Sequence, residues 1–298
     1  MELALTLISN LDAARLDHKL IKAVCGVLRS SGIKVDGEDI LAPNIAADIL
    51  INTDKIKEAE IITRQYLGGN PIDLALQPRN GRRKHLLIAD MDSTIVTSET
   101  LDDLAAAAGI IDKVAPITER AMRGEIEFAE ALRYRVNLLK GIDVSLLDQV
   151  WQQLHFTSGA ATLVKTMKAH GAYTAIVSGG FTAITERVRG ALGFDEDQAN
   201  ILIIEHGKLT GTVADPILDK NSKVSALREL ADRRSLTLQD TVAVGDGAND
   251  IPLLAAAGLG VAFHAKPKVR DAAPVRIDHS DLTALLYLQG YHMADFVM

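Results

Sequence analysis

The sequence predicts an α/β protein with a mainly parallel sheet, a helical insertion after its first strand, and a smaller α+β unit in front. Three observations lead to this prediction. Short apolar runs alternate with helical patterns from Leu86 onward, helical periodicity without strand signals fills residues 98 to about 160, and residues 1–80 alternate strand and helix patterns in a different order. At 298 residues the chain is long enough for both units to bury a core.

The composition is that of an ordinary globular protein, with 48% apolar and 24% charged residues. A formal charge of −7 gives no support for nucleic-acid binding as the main task. No apolar run approaches the length of a membrane span, and the first residues lack a signal-peptide pattern. Because the one cysteine, Cys25, can form neither an internal disulfide nor a multi-thiolate zinc site, we expect a cytoplasmic protein.

The N-terminal 80 residues carry four strand patterns and two helical ones. The strands are expected at 3–8, near Ile40, at 45–51 and at 72–76, and the helices at 19–28 and 54–67. Their order, β-α-β-β-α-β, predicts a ferredoxin-like unit over residues 1–80. The basic run at 79–85 then predicts a solvated linker.

The second unit, expected over residues 81–298, has a different order of strands and helices. Strands are predicted at 86–89, 173–177, 200–204, 241–244 and 260–263, with helical patterns between most of them. Such β-α-β repeats predict a Rossmann-like, mainly parallel sheet. Residues 208–213 follow the 200–204 strand closely and are expected to form a local hairpin with it. The helical stretch at 98–160 is expected to cover the site as a cap.

Two acids, Asp90 and Asp92, directly follow the first apolar strand of this second unit. The ligand crevice of an open α/β sheet lies beyond the carboxyl ends of its strands, where these acids emerge. Two carboxyl groups so close together repel unless a cation or a proton lies between them. The pair therefore favours a metal-assisted reaction, and a polar turn capped by an aspartate is the alternative.

Three later loops can handle a phosphate group. Ser178 and two glycines open a helix, where free N–H groups can meet an anion. Lys223 begins another helix and could neutralise a phosphoryl group. Asp246 lies in a Gly-Asp-rich loop after a strand and could bind a hard cation such as magnesium. Taken singly, each feature also fits a small-residue turn or a solvated helix lysine.

The order of these motifs resembles that of the haloacid dehalogenase-like phosphohydrolases over roughly residues 86–270. Within that superfamily the chain is most similar to the phosphoserine phosphatase family. The similarity lies in residues 90–99, Glu127–Phe128 with 132–136, 178–181, Lys223, and 245–250. The first 80 residues resemble regulatory domains of the ACT type, and a purely structural or dimer-forming module remains the alternative.

This resemblance implies Mg²⁺-dependent hydrolysis of O-phospho-L-serine to L-serine and phosphate, the last step of serine biosynthesis. It implies that Asp90 is the nucleophile, which becomes an aspartyl phosphate, and that Asp92 is the proton donor and acceptor. It also implies a metal site made of Asp90, the backbone carbonyl of Asp92, and Asp246.

Substrate-binding residues are implied in the same way. Glu99 suits the substrate ammonium, Arg135 its carboxylate, and the phosphate-side residues are Ser178, Gly179, Lys223 and Asn249. The expected partner is therefore a small molecule, with no nucleic acid or membrane, and a homodimer is open. Two alternatives remain: a phosphotransferase or phosphatase of the same superfamily acting on another small phosphate ester, and an amino-acid sensor with a phospho-receiver domain.

Overall fold

The computed structural model describes residues 1–10, 16–122 and 125–298, except the side chain of Met122. It contains a four-stranded sheet, a six-stranded sheet and a two-stranded hairpin. No helix in these ranges is long and apolar enough to cross a membrane.

The four-stranded sheet is built from the first 78 residues. Its elements are β1 (Glu2–Ser9), α1 (His18–Ser30), β2 (Lys34–Ala42), β3 (Ala46–Asn52), α2 (Ile56–Leu67) and β4 (Ile72–Pro78). The strand order is β2-β3-β1-β4 and every pairing is antiparallel. Apolar residues of β1 and β3, such as Leu5 and Ile49, share a buried core with Val24 and Leu28 of α1. The ferredoxin-like β-α-β-β-α-β arrangement is thereby confirmed.

The six-stranded sheet is entirely parallel, in the order β12-β11-β10-β5-β6-β7. Its strands and the hairpin strands are β5 (Leu86–Ala89), β6 (Tyr173–Phe181), β7 (Glu196–Asn200), β8 (Leu202–Glu205), β9 (Lys208–Val213), β10 (Thr241–Gly245), β11 (Leu259–Phe263) and β12 (Val275–Ile277). The helices are α3 (Thr100–Ala107), α4 (Ile111–Met122), α5 (Phe128–Leu138), α6 (Leu146–Gln153), α7 (Ala160–Ala169), α8 (Thr182–Leu192), α9 (Lys220–Arg233), α10 (Ile251–Ala256), α11 (Pro267–Ala272) and α12 (Ala284–Leu288).

The centre of this sheet explains why two distant acidic loops meet. Strands β5 and β10 are buried throughout, as expected for parallel strands covered on both faces. They are neighbours with Ala89 opposite Val244, so both end at the same edge. The N–H of Asp90 donates to the carbonyl of Val244 at 3.0 Å. This contact places the loops after both strands side by side.

One strand prediction was wrong in its bounds. Residues 200–204 do not form one strand of the parallel sheet, because β7 ends at Asn200 and β8 begins at Leu202. Strand β7 is the edge of the sheet and reads Glu-Asp-Gln-Ala-Asn, so no apolar run marks it. The expected hairpin is present, since β8 pairs with β9 in an antiparallel register.

The basic run at 79–85 is not a solvated linker. The guanidinium of Arg82 pairs with Asp48, and it also donates to the carbonyls of Tyr287 at 3.1 Å and Leu288 at 3.0 Å. Lys84 is buried and its Nζ donates to two backbone carbonyls. The four-stranded sheet and the end of α12 present acceptors to Arg82, and the carbonyls of Gly81 and Gln239 present them to Lys84.

Four helices, α3 to α6, lie between β5 and α7. The chain enters and leaves this segment at adjacent points, where Val96 and Phe156 form a bridge. The N–H of Thr97 donates to the carbonyl of His155 at 3.0 Å. The β8–β9 hairpin joins the same layer, because the N–H of Gly141 donates to the carbonyl of Leu209 at 2.8 Å.

Candidate active site

Three buried carboxyl groups meet at the edge of the sheet. Asp90 follows β5, and Asp246 and Asp250 belong to the loop after β10. One oxygen from each lies within 4.8 Å of the others. Carboxylate oxygens at this spacing are suitable ligands for a hard cation such as Mg²⁺.

The ammonium of Lys223 lies inside this cluster. Its Nζ is 2.9 Å from Oδ1 of Asp90 and 2.6 Å from Oδ1 of Asp250. Burial alone would lower the pKa of Lys223, but the two carboxylates outweigh burial and raise it above the usual value. A capped turn sets the position of this lysine, since Asp219 accepts the N–H groups of Asn221 and Ser222 at the start of α9.

The cluster holds three acids against one ammonium, and its pKa values reflect the imbalance. Burial, followed by the charge of Asp90, raises the pKa of Asp246 to about 6. Burial and Asp90 also raise the pKa of Asp250 to about 7, against the opposing effect of Lys223. A divalent cation would relieve this repulsion, so the residues present fit a metal site.

Asp250 differs from the other two acids in its partners. Its Oδ1 accepts from Lys223, and its Oδ2 accepts the N–H of Gly247 at 3.1 Å. Asp246 uses one oxygen for the hydroxyl of Thr94, at 3.2 Å. Asp250 therefore holds the lysine and the loop, while Asp90 and Asp246 retain oxygens for a cation.

Asp92 lies in the tight turn that follows Asp90. Its Oδ1 accepts the N–H of Thr100 at 3.2 Å. Burial raises the pKa of Asp92 well above its usual value, and the charges of Glu99 and Asp90 raise it further. A side-chain carbon at Gly180 would lie 3.1 Å from Oδ2 of Asp92, so this acid directly faces the last part of β6.

The strand expected at 173–177 continues to Phe181, and its last part is irregular because the register with β7 shifts between Val177 and Phe181. We call the residues Ser178, Gly179 and Gly180 of this part the Ser178 loop. The hydroxyl oxygen of the buried Ser178 accepts the N–H of Gly180 at 3.0 Å. A Cβ at Gly179 would lie 3.0 Å from Cζ of Phe128, so the ring of this α5 residue covers the loop. A side chain at either glycine would press against the ring or Asp92, because both approach the backbone closely.

Asn200 fixes the backbone of this loop by hydrogen bonding. Its side-chain amide donates to the carbonyl of Gly179 at 2.9 Å, and its Oδ1 accepts the N–H of Leu218 at 2.8 Å. Asn200 is 2% exposed, so both contacts are shielded from water. The side chain thus connects the Ser178 loop with the segment leading to α9 and Lys223.

Arg135 lies on α5, and Glu99 directly precedes α3. The hydroxyl of Ser93, a residue with a φ of 54°, donates to Oε1 of Glu99 at 2.9 Å. The guanidinium of Arg135 contacts only neutral oxygens among the described residues, those of Thr118 at 3.4 Å and Ala131 at 3.3 Å. Burial lowers the pKa of Arg135, and the charges of three acids oppose this effect: Asp102, Glu99 and Asp92.

The comparison with protein families decides the assignment. A family model described as haloacid dehalogenase-like hydrolase matches residues 87–255. The chain belongs to this family. A curated phosphoserine phosphatase from Streptomyces coelicolor is 40% identical to this hydrolase over 275 residues, which are 90% of this chain and 66% of that protein. The match thus covers slightly less than two thirds of that relative.

Solved structures resemble the hydrolase over its whole length and over its main unit. One is the crystal structure of a HAD family hydrolase from Salmonella enterica subsp. enterica serovar Typhi, with a TM-score of 0.85 and 28% identity. The match covers 97% of this chain and 98% of that one. A structure described as a phospho-aspartyl intermediate analogue of phosphoserine phosphatase covers 69% of this chain and 98% of its own, with a TM-score of 0.65 and 40% identity.

The structure brings most of the predicted site residues of this hydrolase together. The acids, the lysine and the Ser178 loop surround one space, and Glu99 and Arg135 approach it from the covering helices. Asn249 is partly exposed next to Gly247, where a Cβ would lie 2.3 Å from its Oδ1. Sequence reasoning missed Asn200 as a site residue, because it ends the polar strand β7, which no apolar run marks.

Proposed function

We propose that this hydrolase is a Mg²⁺-dependent phosphoserine phosphatase, which converts O-phospho-L-serine and water to L-serine and phosphate in the last step of serine biosynthesis. The observation that carries the proposal is the contrast between two neighbouring acids. Asp90 lies 2.9 Å from the ammonium of Lys223, whereas the pKa of Asp92 is raised well above its usual value by burial. One acid is thereby suited to attack and the other to donate a proton.

Asp90 acts as the nucleophile. The ammonium of Lys223 lies 2.9 Å from Oδ1 of Asp90. An oxygen of Asp90 attacks phosphorus to form an aspartyl phosphate, while the bond from phosphorus to the serine oxygen breaks. Magnesium, when bound by Asp90, the backbone carbonyl of Asp92 and Asp246, supplies positive charge next to the phosphoryl oxygens. The similarity to a phospho-aspartyl intermediate analogue supports this step.

Asp92 moves the proton in both half-reactions. In its neutral form it protonates the serine oxygen as the bond to phosphorus breaks, and L-serine leaves. The resulting carboxylate then removes a proton from the water that attacks the aspartyl phosphate. Phosphate is released, Asp90 is free again, and Asp92 regains its proton. The raised pKa of Asp92 favours the first of these steps.

The phosphate group is held by fixed donors. The hydroxyl of Ser178 and the N–H of Gly179 approach it from one side, and Lys223 provides the ammonium. Asn249 orients the phosphate at the loop after β10. These groups oppose the negative charge on the equatorial oxygens in the transition state.

Substrate choice comes from the covering helices. Glu99 binds the ammonium of phosphoserine and Arg135 its carboxylate by a two-pronged hydrogen bond. Arg135 suits this role because its guanidinium has no carboxylate partner within hydrogen-bonding distance among the described residues. Phe128 closes over Gly179 and excludes water.

The proposal also covers organisation and location. Residues 1–80 form an ACT-like unit, residues 81–298 form the phosphatase unit, and a helical cap is inserted at about 98–160. The partner is a small molecule, and the single cysteine of the sequence suits the cytoplasm. A homodimer is compatible with this arrangement, and its test is the mass of the protein in solution.

Phosphate release from O-phospho-L-serine tests the proposal. We expect turnover with Mg²⁺, loss of turnover in EDTA, and loss in Asp90→Asn. Asp232→Asn, an exposed residue of α9, is the matched control and should retain activity. Wild-type turnover in Asp90→Asn would refute the nucleophile. A phosphorylated acceptor appearing in place of free phosphate would identify a phosphotransferase.

A further inference from the structure

A polar cavity of about 170 Å³ lies where the two larger sheets approach each other, away from the acid cluster. Strand β4 and helix α2 of the first sheet contribute one wall, and β12 with α11 contributes the other. Its charged lining residues are Arg64, Asp73, Arg270, Arg276, Asp278 and the neighbouring His279. Three guanidinium groups in so small a space are unusual, since like charges repel.

Two of these arginines share one carboxylate oxygen. Arg270 approaches Oδ2 of Asp278 at 2.9 Å through Nη2, and Arg276 approaches the same atom at 3.4 Å through Nε. Each guanidinium carries five N–H donors, so most of their donors have no carboxylate to bind in this pair. Their side chains are 39% and 35% exposed, which leaves them accessible to a solute.

The other acid of the cavity hydrogen-bonds to the backbone and not to the arginines. Asp73 is buried, and its two oxygens accept the backbone N–H groups of Asp278 at 2.7 Å, Ser280 at 2.8 Å and His279 at 3.2 Å. In the described part of the chain no guanidinium pairs with it. Asp73 therefore fixes the 278–280 segment and leaves Arg270 and Arg276 with one shared carboxylate.

Arg64 supplies the third guanidinium from the opposite wall. It pairs with Glu60 on its own helix at 2.9 Å and donates to the carbonyl of Leu74 at 3.2 Å. Glu60 thus balances the charge of Arg64, and the two contacts hold its guanidinium at the edge of the cavity. The N–H donors that lack a carboxylate partner therefore belong to Arg270 and Arg276.

We propose that this cavity binds a small oxyanion of the phosphate type. Arg270 and Arg276 would provide paired N–H donors, the geometry that guanidinium groups offer to phosphate and carboxylate oxygens. The volume is well below the roughly 300–1,000 Å³ of pockets for drug-sized ligands, so a tetrahedral ion fits better than a larger phosphate ester. Binding here is independent of the proposed reaction, since no lining residue belongs to the catalytic set.

Equilibrium dialysis with inorganic phosphate tests the site in the full-length, Mg²⁺-loaded protein. Wild type should bind one equivalent of phosphate per chain more than Arg276→Gln does. Phosphate bound at the active site contributes equally to both proteins and cancels in this difference. Arg228→Gln, an exposed residue of α9, changes the net charge by the same amount and should bind as wild type does. Equal binding by wild type and Arg276→Gln overturns the proposal.

A second variant separates binding from folding. Asp278→Asn removes the carboxylate that competes for the two arginines, so phosphate should bind this variant several-fold more tightly. Melting temperatures of all the variants, measured without phosphate, check that the fold is retained. If Asp278→Asn binds phosphate no more tightly than wild type, Arg270 and Arg276 do not form the site.

Discussion

The side-chain amide of Asn200 donates to the carbonyl of Gly179 across 2.9 Å. Asn200 lies on the edge strand of the parallel sheet, whereas Gly179 lies in the loop that faces Asp92. The same amide accepts the N–H of Leu218, so one buried side chain aligns two segments of the site. Its removal leaves both backbone groups without these partners.

We predict that Asn200→Asp lowers kcat/KM for O-phospho-L-serine by at least about tenfold, because small displacements of catalytic groups are costly. The new aspartate can still accept the N–H of Leu218 through one oxygen. Its other oxygen replaces the amide nitrogen and therefore repels the carbonyl oxygen of Gly179. Asn80→Asp makes the same chemical change at an exposed position and is the control that should act as wild type does. Unchanged kinetics in Asn200→Asp would show that the loop holds its position without this bond.

Arg135 provides a test of substrate choice. A hydrogen bond to a charged group contributes about 1.5–3 kcal/mol, so Arg135→Ala should lower kcat/KM for O-phospho-L-serine by about 10- to 100-fold. Activity on p-nitrophenyl phosphate, which lacks the carboxylate, should change little. Arg133→Ala on the same helix removes only an exposed ion pair with Asp215 and is the control. Equal losses on both substrates would refute a carboxylate-binding role.

Asp246 links stability to pH in the metal-free protein. Its pKa is raised to about 6, so the folded state holds this proton more tightly than the unfolded state does. The ionised Asp246 therefore destabilises the folded state when the pH is above its folded-state pKa. This effect disappears when the pH falls below the pKa of Asp246 in the unfolded chain, at about pH 4. In EDTA, Asp246→Asn should melt higher than wild type at about pH 7.5, with the difference vanishing near about pH 4.

Magnesium should reverse that order near neutral pH. Wild type gains stability from a cation that binds the folded state, and Asp246→Asn gains much less. Thermal melts of both proteins, with and without Mg²⁺, measure this difference. A wild type that melts as high as Asp246→Asn in EDTA at every pH would contradict repulsion among the three acids.

Arg82 connects the two larger sheets through a buried ion pair. Its side chain is 10% exposed and that of Asp48 is 3% exposed. Removing one partner of a buried pair costs about 3–5 kcal/mol, so Arg82→Met should lower the free energy of unfolding by about that amount. Adding Asp48→Leu should restore part of the loss, since no buried charge then remains. Arg79→Met, whose pair with Asp36 is more exposed, should cost less.

The sequence was most informative where the chain is buried on both faces. The apolar strands β5 and β10 could be predicted, and their loops carried the acids that meet in the site. The polar edge strand β7 could not, because an edge strand needs no apolar run, and Asn200 was missed with it. Composition also misled at Arg82, since a basic run does not reveal that buried acceptors lie opposite it.

The bridge between Val96 and Phe156 has a consequence for how such proteins diversify. The four covering helices begin and end at the same point, so a different segment could replace them without changing the order of any strand. The chemistry of the acids belongs to the sheet, whereas Arg135 and Phe128 belong to the exchangeable segment. New substrates could therefore be acquired by exchanging one contiguous stretch of chain, while the machinery for phosphoryl transfer is inherited intact.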